Sequence, residues 1–203
     1  MSARLIYDSG VLHDFRDDLE SSLYVVLWTT LIYSEVSNKS QVMPFVNSVL
    51  NPQSYENSGG TTKEDFLKAQ SFLVHVHFPN RPALHQLIRN LADLFRFRYE
   101  PEPTEAQREE SNQLQLASHK FQNAYVQNAY EAHYCTRYDQ SMLKLKDHAA
   151  AIQLFETALR YRSEWPNNDA SVKQIFESKS PTELVRKTNW RSTTHCAEEH
   201  HIE

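Results

Sequence analysis

The chain has 203 residues, of which 21 are Lys or Arg and 26 are Asp or Glu, so the net charge is −5. This length can bury one hydrophobic core without disulfide or metal cross-links. An acidic balance with no sustained basic run argues against a dedicated nucleic-acid binder or a membrane-surface protein. The 40% of hydrophobic residues argues against a disordered chain.

Glycine is scarce. The chain contains 3 glycines, whereas an average composition of ~7% would supply about fourteen. Gly10, Gly59 and Gly60 cannot form any Gly-rich phosphate-binding loop. The glycine count thus excludes every Gly-rich phosphate cradle and favours a helical fold over one with many tight turns. We also expect no small-molecule ligand.

Cysteine usage and the first residues bear on the compartment. The 2 cysteines, Cys135 and Cys196, form no C-x-x-C pair, and no apolar leader follows Met1. The longest uncharged apolar-rich stretch, 21–34, is too short to span a membrane. These features predict an intracellular protein, cytoplasmic or nuclear, with reduced thiols.

The strongest predicted element is a helix over 18–34. Its apolar residues cover nearly the whole helical circumference, which is typical of a helix inside a domain. A buried strand is the alternative, although the segment is long for one. Asp17 and Asp18 suit both the N-cap and the positive end of the helix dipole.

Turn-forming residues over 51–62 predict a loop. The next segment, 62–77, predicts a helix, with a short strand at 74–78 as the alternative because apolar residues alternate there. Two prolines end it. An amphipathic helix then follows over 83–98, with its apolar residues on one stripe.

The second half of the chain also predicts helices. Thr104 and Gln107 form a capping box for a long polar helix over 104–138, whose thin apolar seam places it on the outside of the fold. A second amphipathic helix covers 147–161. A Ser-Pro-Thr-Glu start predicts a short helix near 181–188, followed by a polar tail expected to be disordered.

Three groups of residues could carry chemistry. Clustered carboxylates can perform acid–base work or hold a cation, but at a helix start they also simply favour the helix dipole. His75 and His77 would share one side of a strand yet diverge on a helix, and two ligands fall short of a catalytic zinc site. We favour the structural interpretation of each group. The clustered carboxylates are Asp14, Asp17, Asp18 and Glu20. The third group lies near the C-terminus and consists of His195, Cys196, His200 and His201.

Cys135 is a further candidate nucleophile. On one continuous helix, His133 lies about 200° around the axis from Cys135, so it could not act as its base. We expect Cys135 to be a structural thiol.

The pattern Asp-Leu-Glu-Ser-x-x-Tyr-Val-x-Leu-Trp over 18–28 resembles the fungal-type protein kinase family. Its first four residues are similar to the Asp-x-Trp-Ser that opens the central F helix of protein kinases, with Glu20 in place of Trp. Looser resemblances follow at 63–73 and 87–99. The matching motif residues are Asp18, Leu19, Glu20, Ser21 and Trp28.

This resemblance implies an all-α fold: the helical C-lobe of a protein-kinase-like fold, with the N-lobe and catalytic loop absent. Residues 1–166 would form the partial C-lobe around the central buried helix 18–34, and residues 167–203 a C-terminal extension. In the family, the carboxylate that matches Asp18 accepts hydrogen bonds from the catalytic-loop backbone. In this chain Asp18 could instead serve simply as a helix cap.

The resemblance also limits the expected activity. The sequence contains no His-Arg-Asp, no Asp-Phe-Gly and no Val-Ala-x-Lys. Phosphoryl transfer depends on positioning ATP, its metal ions and a base together. We therefore expect a kinase fragment that is inactive alone, with no catalytic, cofactor or metal residues. The ATP and Mg²⁺ of the family would belong to a full-length member. The alternative is a non-catalytic helical module that binds proteins through its C-lobe surface.

Overall fold

The computed structural model describes residues 1–7, 10, 12–51, 58–121 and 123–165. Within these residues the fold is all-α and contains no strand, which confirms the predicted class. A π-helical turn spans Val46–Leu50 and a 3₁₀ turn spans Arg162–Glu164. The α-helices in this part of the chain are α1 Ala3–Tyr7, α2 Phe15–Tyr33, α3 Lys39–Phe45, α4 Ser58–Ala69, α5 Ser71–His75, α6 Pro82–Arg96, α7 Glu105–Phe121, α8 Ala124–Ala132, α9 Tyr134–Lys144 and α10 Ala149–Arg160.

Helix α2 begins three residues earlier than predicted, and its cap is Asp14 rather than Asp17 or Asp18. The Asp14 carboxylate accepts a 2.8 Å hydrogen bond from the backbone N–H of Arg16. In return the Asp14 N–H donates to Asp17 Oδ2 at 2.9 Å, which completes a capping box. Asp17 therefore occupies the third helical position, and Asp18 follows it facing solvent.

Only one face of helix α2 is buried in the core. Leu23, Leu27 and Leu31 are fully buried, and α2 packs against α6. The opposite face carries Val25 and Tyr33, whose exposed fractions are 64% and 47%. The prediction of a helix buried all round was therefore half wrong. Apolar residues do surround the helix, but the described helices cover only one side of it.

The predicted stripe on α6 is confirmed. Leu87, Ile88, Leu91 and Phe95 are buried in the same core cluster as α2. Pro82 occupies the first turn, where its missing N–H costs no hydrogen bond. This helix ends at Arg96, so Arg98 and Tyr99 follow its last turn and return toward the start of α2.

The segment predicted as one helix over 62–77 divides at Gln70. This residue adopts a left-handed conformation with φ of 50°, which ends α4 and starts α5. After α5, Val76 is extended, but no strand forms in the described residues. Two hydrogen bonds instead join His77 to Ser37.

The predicted long helix 104–138 is three helices, α7 to α9. The Thr104–Gln107 capping box is present, with the Thr104 N–H donating to Gln107 Oε1 at 2.9 Å. Asn123 caps α8 and His133 caps α9, so two local caps interrupt the polar pattern. The expected outer position is confirmed, because α8 has no buried residue and α7 buries only Ser111 and Ser118.

Helix α10 matches the predicted helix 147–161 closely and packs against α6. Trp165 then returns to it, with its indole N–H donating to the carbonyl of Ala158 at 2.9 Å. The predicted short helix near 181–188 and the polar tail lie outside the described residues. Among the helices described, none combines the length and apolar character required to cross a bilayer.

Candidate functional site

Two fully buried carboxylates, Asp17 and Glu20, lie one turn apart on α2. A spacing of three residues places both on the same helical face. The residues around them come from the start of α1 and from the segment that follows α6. We call this group the carboxylate clasp; its members are Ser2, Ala3, Arg4, Asp17, Glu20, Arg98 and Tyr99.

Asp17 accepts four hydrogen bonds. Its Oδ1 receives the Ser2 hydroxyl and Arg98 Nη2, each at 2.9 Å. Its Oδ2 receives the Asp14 backbone N–H at 2.9 Å and Arg4 Nη2 at 3.2 Å. Because a carboxylate offers about four lone-pair positions, the acceptor capacity of Asp17 is filled.

Glu20 is satisfied in a similar way. Its Oε1 accepts the backbone N–H of Ala3 at 2.8 Å and the Tyr24 hydroxyl at 3.5 Å. Its Oε2 accepts Arg98 Nη1 at 2.8 Å and the Tyr99 hydroxyl at 2.6 Å. The Tyr99 oxygen in turn accepts the Arg4 backbone N–H at 3.2 Å.

Arg98 joins the two carboxylates. Its side chain is 6% exposed, and its two terminal nitrogens reach one carboxylate each. Nη1 also donates to the backbone carbonyl of Arg16 at 3.1 Å. The planar fork of a guanidinium allows this bridge, which a lysine ammonium could not reproduce.

The electrostatics keep Asp17 ionised despite its burial. Burial alone would raise the pKa of Asp17, but hydrogen bonds from Arg98, the Asp14 amide and Ser2 outweigh it and lower the pKa to about 2. Burial raises the pKa of Tyr99, and the charge of Glu20 adds to this rise, so the Tyr99 hydroxyl stays protonated as a donor.

Lys63 on α4 lies beside the clasp. Its Nζ donates to the Met1 carbonyl at 2.8 Å and lies 4.4 Å from the centre of the Tyr24 ring. Burial lowers the pKa of Lys63, while the charge of Glu20 opposes this shift. Lys63 thus ties the first residue of the chain to the core through a cation–π contact and one hydrogen bond.

The chemistry of the clasp is structural. A general base needs a lone pair facing substrate, and a metal ligand needs one facing the ion. Both carboxylates direct theirs to internal donors. Furthermore, no group of three or more potential metal ligands occurs within the described residues. The clasp instead fixes the start of the chain and the end of α6 to α2.

Of the four acidic candidates, Asp17 and Glu20 converge on Arg98, whereas Asp14 and Asp18 have other roles. Asp14 caps α2 and pairs with Arg16. The Asp18 side chain is 71% exposed and lies 3.2 Å from His13. Of the two buried carboxylates, Glu20 accepts a backbone N–H from another segment, that of Ala3, whereas Asp17 accepts the backbone N–H of Asp14, the cap of its own helix.

The other motif residues take ordinary helical positions. Leu19 and Trp28 are partly buried against the core. The Ser21 hydroxyl donates to the Asp17 carbonyl one turn back, at 2.6 Å.

The histidine and cysteine candidates also do not combine into a site in the described residues. His75 and His77 do not form a pair; His77 meets His85 instead. His133 uses its Nδ1 to accept the backbone N–H of Cys135 at 3.3 Å. Cys135 is buried, and burial raises the pKa of its thiol, as expected for a structural residue. His195, Cys196, His200 and His201 lie outside the described residues.

Sequence reasoning missed Ser2, Lys63, Arg98 and Tyr99. One signal was available: acidic residues on the core-facing side of a helix require a buried cation. However, Asp17 and Arg98 are 81 positions apart, and no local pattern connects them.

An open groove of about 480 Å³ follows the uncovered face of α2. Val25, Val26 and Tyr33 form its wall on α2, and Leu84 forms the wall on α6. Arg81, just before α6, lies at its edge. The groove is mainly apolar and lies on the only side of α2 that the described helices leave uncovered.

The fold and the clasp thus define an all-helical domain organised around one helix with a buried acidic start. Comparisons with protein-family models, with curated proteins and with solved structures found no match.

Proposed function

We propose that the chain is the C-lobe portion of a fungal-type Ser/Thr protein kinase, and that alone it neither binds ATP nor transfers phosphate. Complete kinases of this family use ATP to phosphorylate proteins. The sequence lacks the His-Arg-Asp, Asp-Phe-Gly and Val-Ala-x-Lys motifs. Without them nothing positions the nucleotide, the metal ions or the base that phosphoryl transfer requires.

One observation supports this proposal most: α2 has one buried face and one exposed apolar face. A C-lobe separated from the remainder of a kinase would expose apolar surface along the missing interface. Val25 is 64% exposed and Tyr33 is 47% exposed on that face. The groove between α2 and Leu84 gives this surface a defined shape.

The clasp provides secondary support. The resemblance requires a carboxylate near the start of the central helix that accepts backbone N–H groups from another segment. Glu20 has this chemistry, because it accepts the backbone N–H of Ala3. Asp18, the residue that matches the family motif, does not, so the proposal does not depend on Asp18 as an anchor.

A second candidate function is a non-catalytic interaction module. The same groove favours it, because an apolar surface beside a cation, here Arg81, is suited to a protein partner. The two candidates differ in what covers α2: the remaining part of a kinase, or an independent protein.

A thermal-shift titration with Mg-ATP tests the absence of a nucleotide site. A ligand present at one hundred times its Kd would stabilise the fold by about 2.7 kcal/mol, or roughly 5–10 °C in Tm for a chain of this size. We expect no saturable shift up to millimolar Mg-ATP. A saturable rise would contradict the proposal that the chain binds no nucleotide alone.

The sequence upstream of the Met1 codon separates the two candidates. An in-frame His-Arg-Asp followed by Asp-Phe-Gly would support the kinase portion. A stop codon directly upstream would favour the independent module.

The exposed face of α2 can be tested with two matched variants. Val25 and Leu159 are each 64% exposed, on α2 and α10 respectively. We expect Val25→Glu to reduce self-association or partner binding in light-scattering and pull-down measurements, and Leu159→Glu to leave both unchanged. Equal effects of the two substitutions would show that the α2 face has no special role.

A further inference from the structure

Two histidines meet where the connection between α5 and α6 reaches α6. His77 Nδ1 lies 3.4 Å from His85 Nε2, and the ring centres are 4.9 Å apart in an edge arrangement. His77 belongs to the connection 76–81, and His85 lies in the first turn of α6. The function proposed above does not use this pair.

The backbone of His77 is joined to a second connection, 34–38, which follows α2. The Ser37 N–H donates to the His77 carbonyl at 3.0 Å, and the His77 N–H donates to Ser37 Oγ at 2.9 Å. Nearby, Asn80 Nδ2 donates to Glu35 Oε2 at 2.8 Å. His77 therefore links the 34–38 connection to α6 through its imidazole, between Val76 and Phe78, which are themselves buried in the core.

The surroundings of His85 determine which nitrogen carries its proton. His85 Nδ1 is buried and has no hydrogen-bond partner. A proton there would create a buried donor without an acceptor, which is more costly than an unused lone pair. The proton of the neutral ring therefore lies on Nε2 and points to Nδ1 of His77.

The nearby charges disfavour a second proton. Arg81, the residue just before α6, precedes His85 by one turn, and Arg89 on α6 follows it by one turn. Burial lowers the pKa of His85, and the charges of His77 and Arg89 lower it further. On the 34–38 connection the acidic group is Glu35, which is engaged by Asn80. On α5, His75 is exposed.

We propose that the His77–His85 pair is a proton-sensitive latch that holds the Ser37–His77 link against α6 while both rings are neutral and loosens that link when either ring is protonated, with Val76 and Phe78 staying buried in the core. A proton added to His77 Nδ1 would face the N–H of His85. A proton added to His85 Nδ1 would be a buried donor without an acceptor. The first addition replaces the acceptor by a second donor and breaks the contact, and the second destabilises the closed arrangement by an unpaired buried donor, so both favour opening below neutral pH.

Amide hydrogen exchange tests the latch, because the N–H groups of Ser37 and His77 are protected by the two hydrogen bonds that it maintains. Between pH 7.5 and pH 5.0 we expect the protection factors of these two amides to fall. Each histidine that is neutral in the closed latch and has an ordinary pKa near 6.5 in the open one contributes a fall of up to about 30-fold. The amide of Leu27 in the core of α2 serves as the internal reference and should not change. The buffers contain a chelator, so that metal binding cannot mimic the effect.

The matched variants are His85→Gln, whose neutral amide can turn to donate to unprotonated His77 or to accept from protonated His77, and His75→Gln, which changes an exposed histidine nearby. We expect the pH dependence to disappear in the first variant and to persist in the second. The same fall in His85→Gln as in the unmodified protein would overturn the proposal.

Imidazole ¹⁵N shifts of the unmodified protein give an independent test if His85→Gln does not fold. We expect His85 to be in the Nε2–H form at pH 7.5 and to resist protonation below pH 6.5. A His85 ring that carries its proton on Nδ1, or that titrates like a free histidine, would overturn the latch.

Discussion

Replacing Arg98 with Met tests the carboxylate clasp directly. Methionine keeps most of the side-chain volume but removes the guanidinium that contacts both Asp17 and Glu20. Two carboxylates that are 0% exposed would then lose their shared cation. Arg4 still reaches Asp17, but its side chain is 35% exposed and it does not contact Glu20.

The expected loss is large because a buried charge remains unpaired. Removing one partner of a buried ion pair costs about 3–5 kcal/mol. For a chain of about 200 residues, each kcal/mol lowers Tm by about 2–4 °C, so we expect a fall of roughly 6–20 °C. Adding Asp17→Asn and Glu20→Gln to Arg98→Met should recover part of this loss, since the two buried carboxylates are then neutral.

Urea and thermal unfolding followed by circular dichroism measure the effect. Arg96→Met is the matched control, because Arg96 lies two residues away and pairs with Glu100 at 3.3 Å across an accessible surface. Such a pair contributes about 0.3–0.5 kcal/mol. If Arg98→Met destabilised the protein no more than Arg96→Met, the clasp would not stabilise the fold as we reason.

Three further predictions concern α2. Asp17 has a pKa of about 2 in the folded protein against an ordinary value of 3.8. Its contribution of about 2 kcal/mol to the free energy of unfolding is therefore present above pH 4 and lost as the pH falls toward 2. The urea midpoints of the unmodified protein and of Asp17→Asn should converge over that range. Asp18→Asn should change the unfolding free energy by less than about 0.5 kcal/mol, in contrast to Asp17→Asn, because Asp18 faces solvent. Leu27→Ala should cost about 2–5 kcal/mol in the same urea assay, and Val25→Ala well under 1 kcal/mol, because Leu27 is fully buried and Val25 is largely exposed.

Periodicity predicted the helices well where one apolar stripe faces the core. Helix α6 is the clearest case, because its buried residues recur every three or four positions. Periodicity performed less well over 104–138, where a continuous polar pattern contains no proline or glycine. The breaks there depend on the side chains of Asn123 and His133, each of which accepts a backbone N–H two residues later.

The roles of the acidic residues could not be predicted from local sequence. Asp17 and Asp18 are chemically identical neighbours, and either suits the start of a helix. The fold distinguishes them by direction: Asp17 faces the residues that follow α6, and Asp18 faces solvent. Only knowledge of where Arg98 lies could have made that distinction.

The distance along the chain between Asp17 and Arg98 has a consequence for synthesis on the ribosome. Arg98 is translated 81 residues after Asp17, a delay of about 4–16 s at about 5–20 residues per second. Throughout that interval the nascent chain carries two acidic groups that have not yet met their cation. The start of α2 therefore cannot dock in its final position until the segment after α6 has emerged, so α2 is made before α6 but its first turn settles after it.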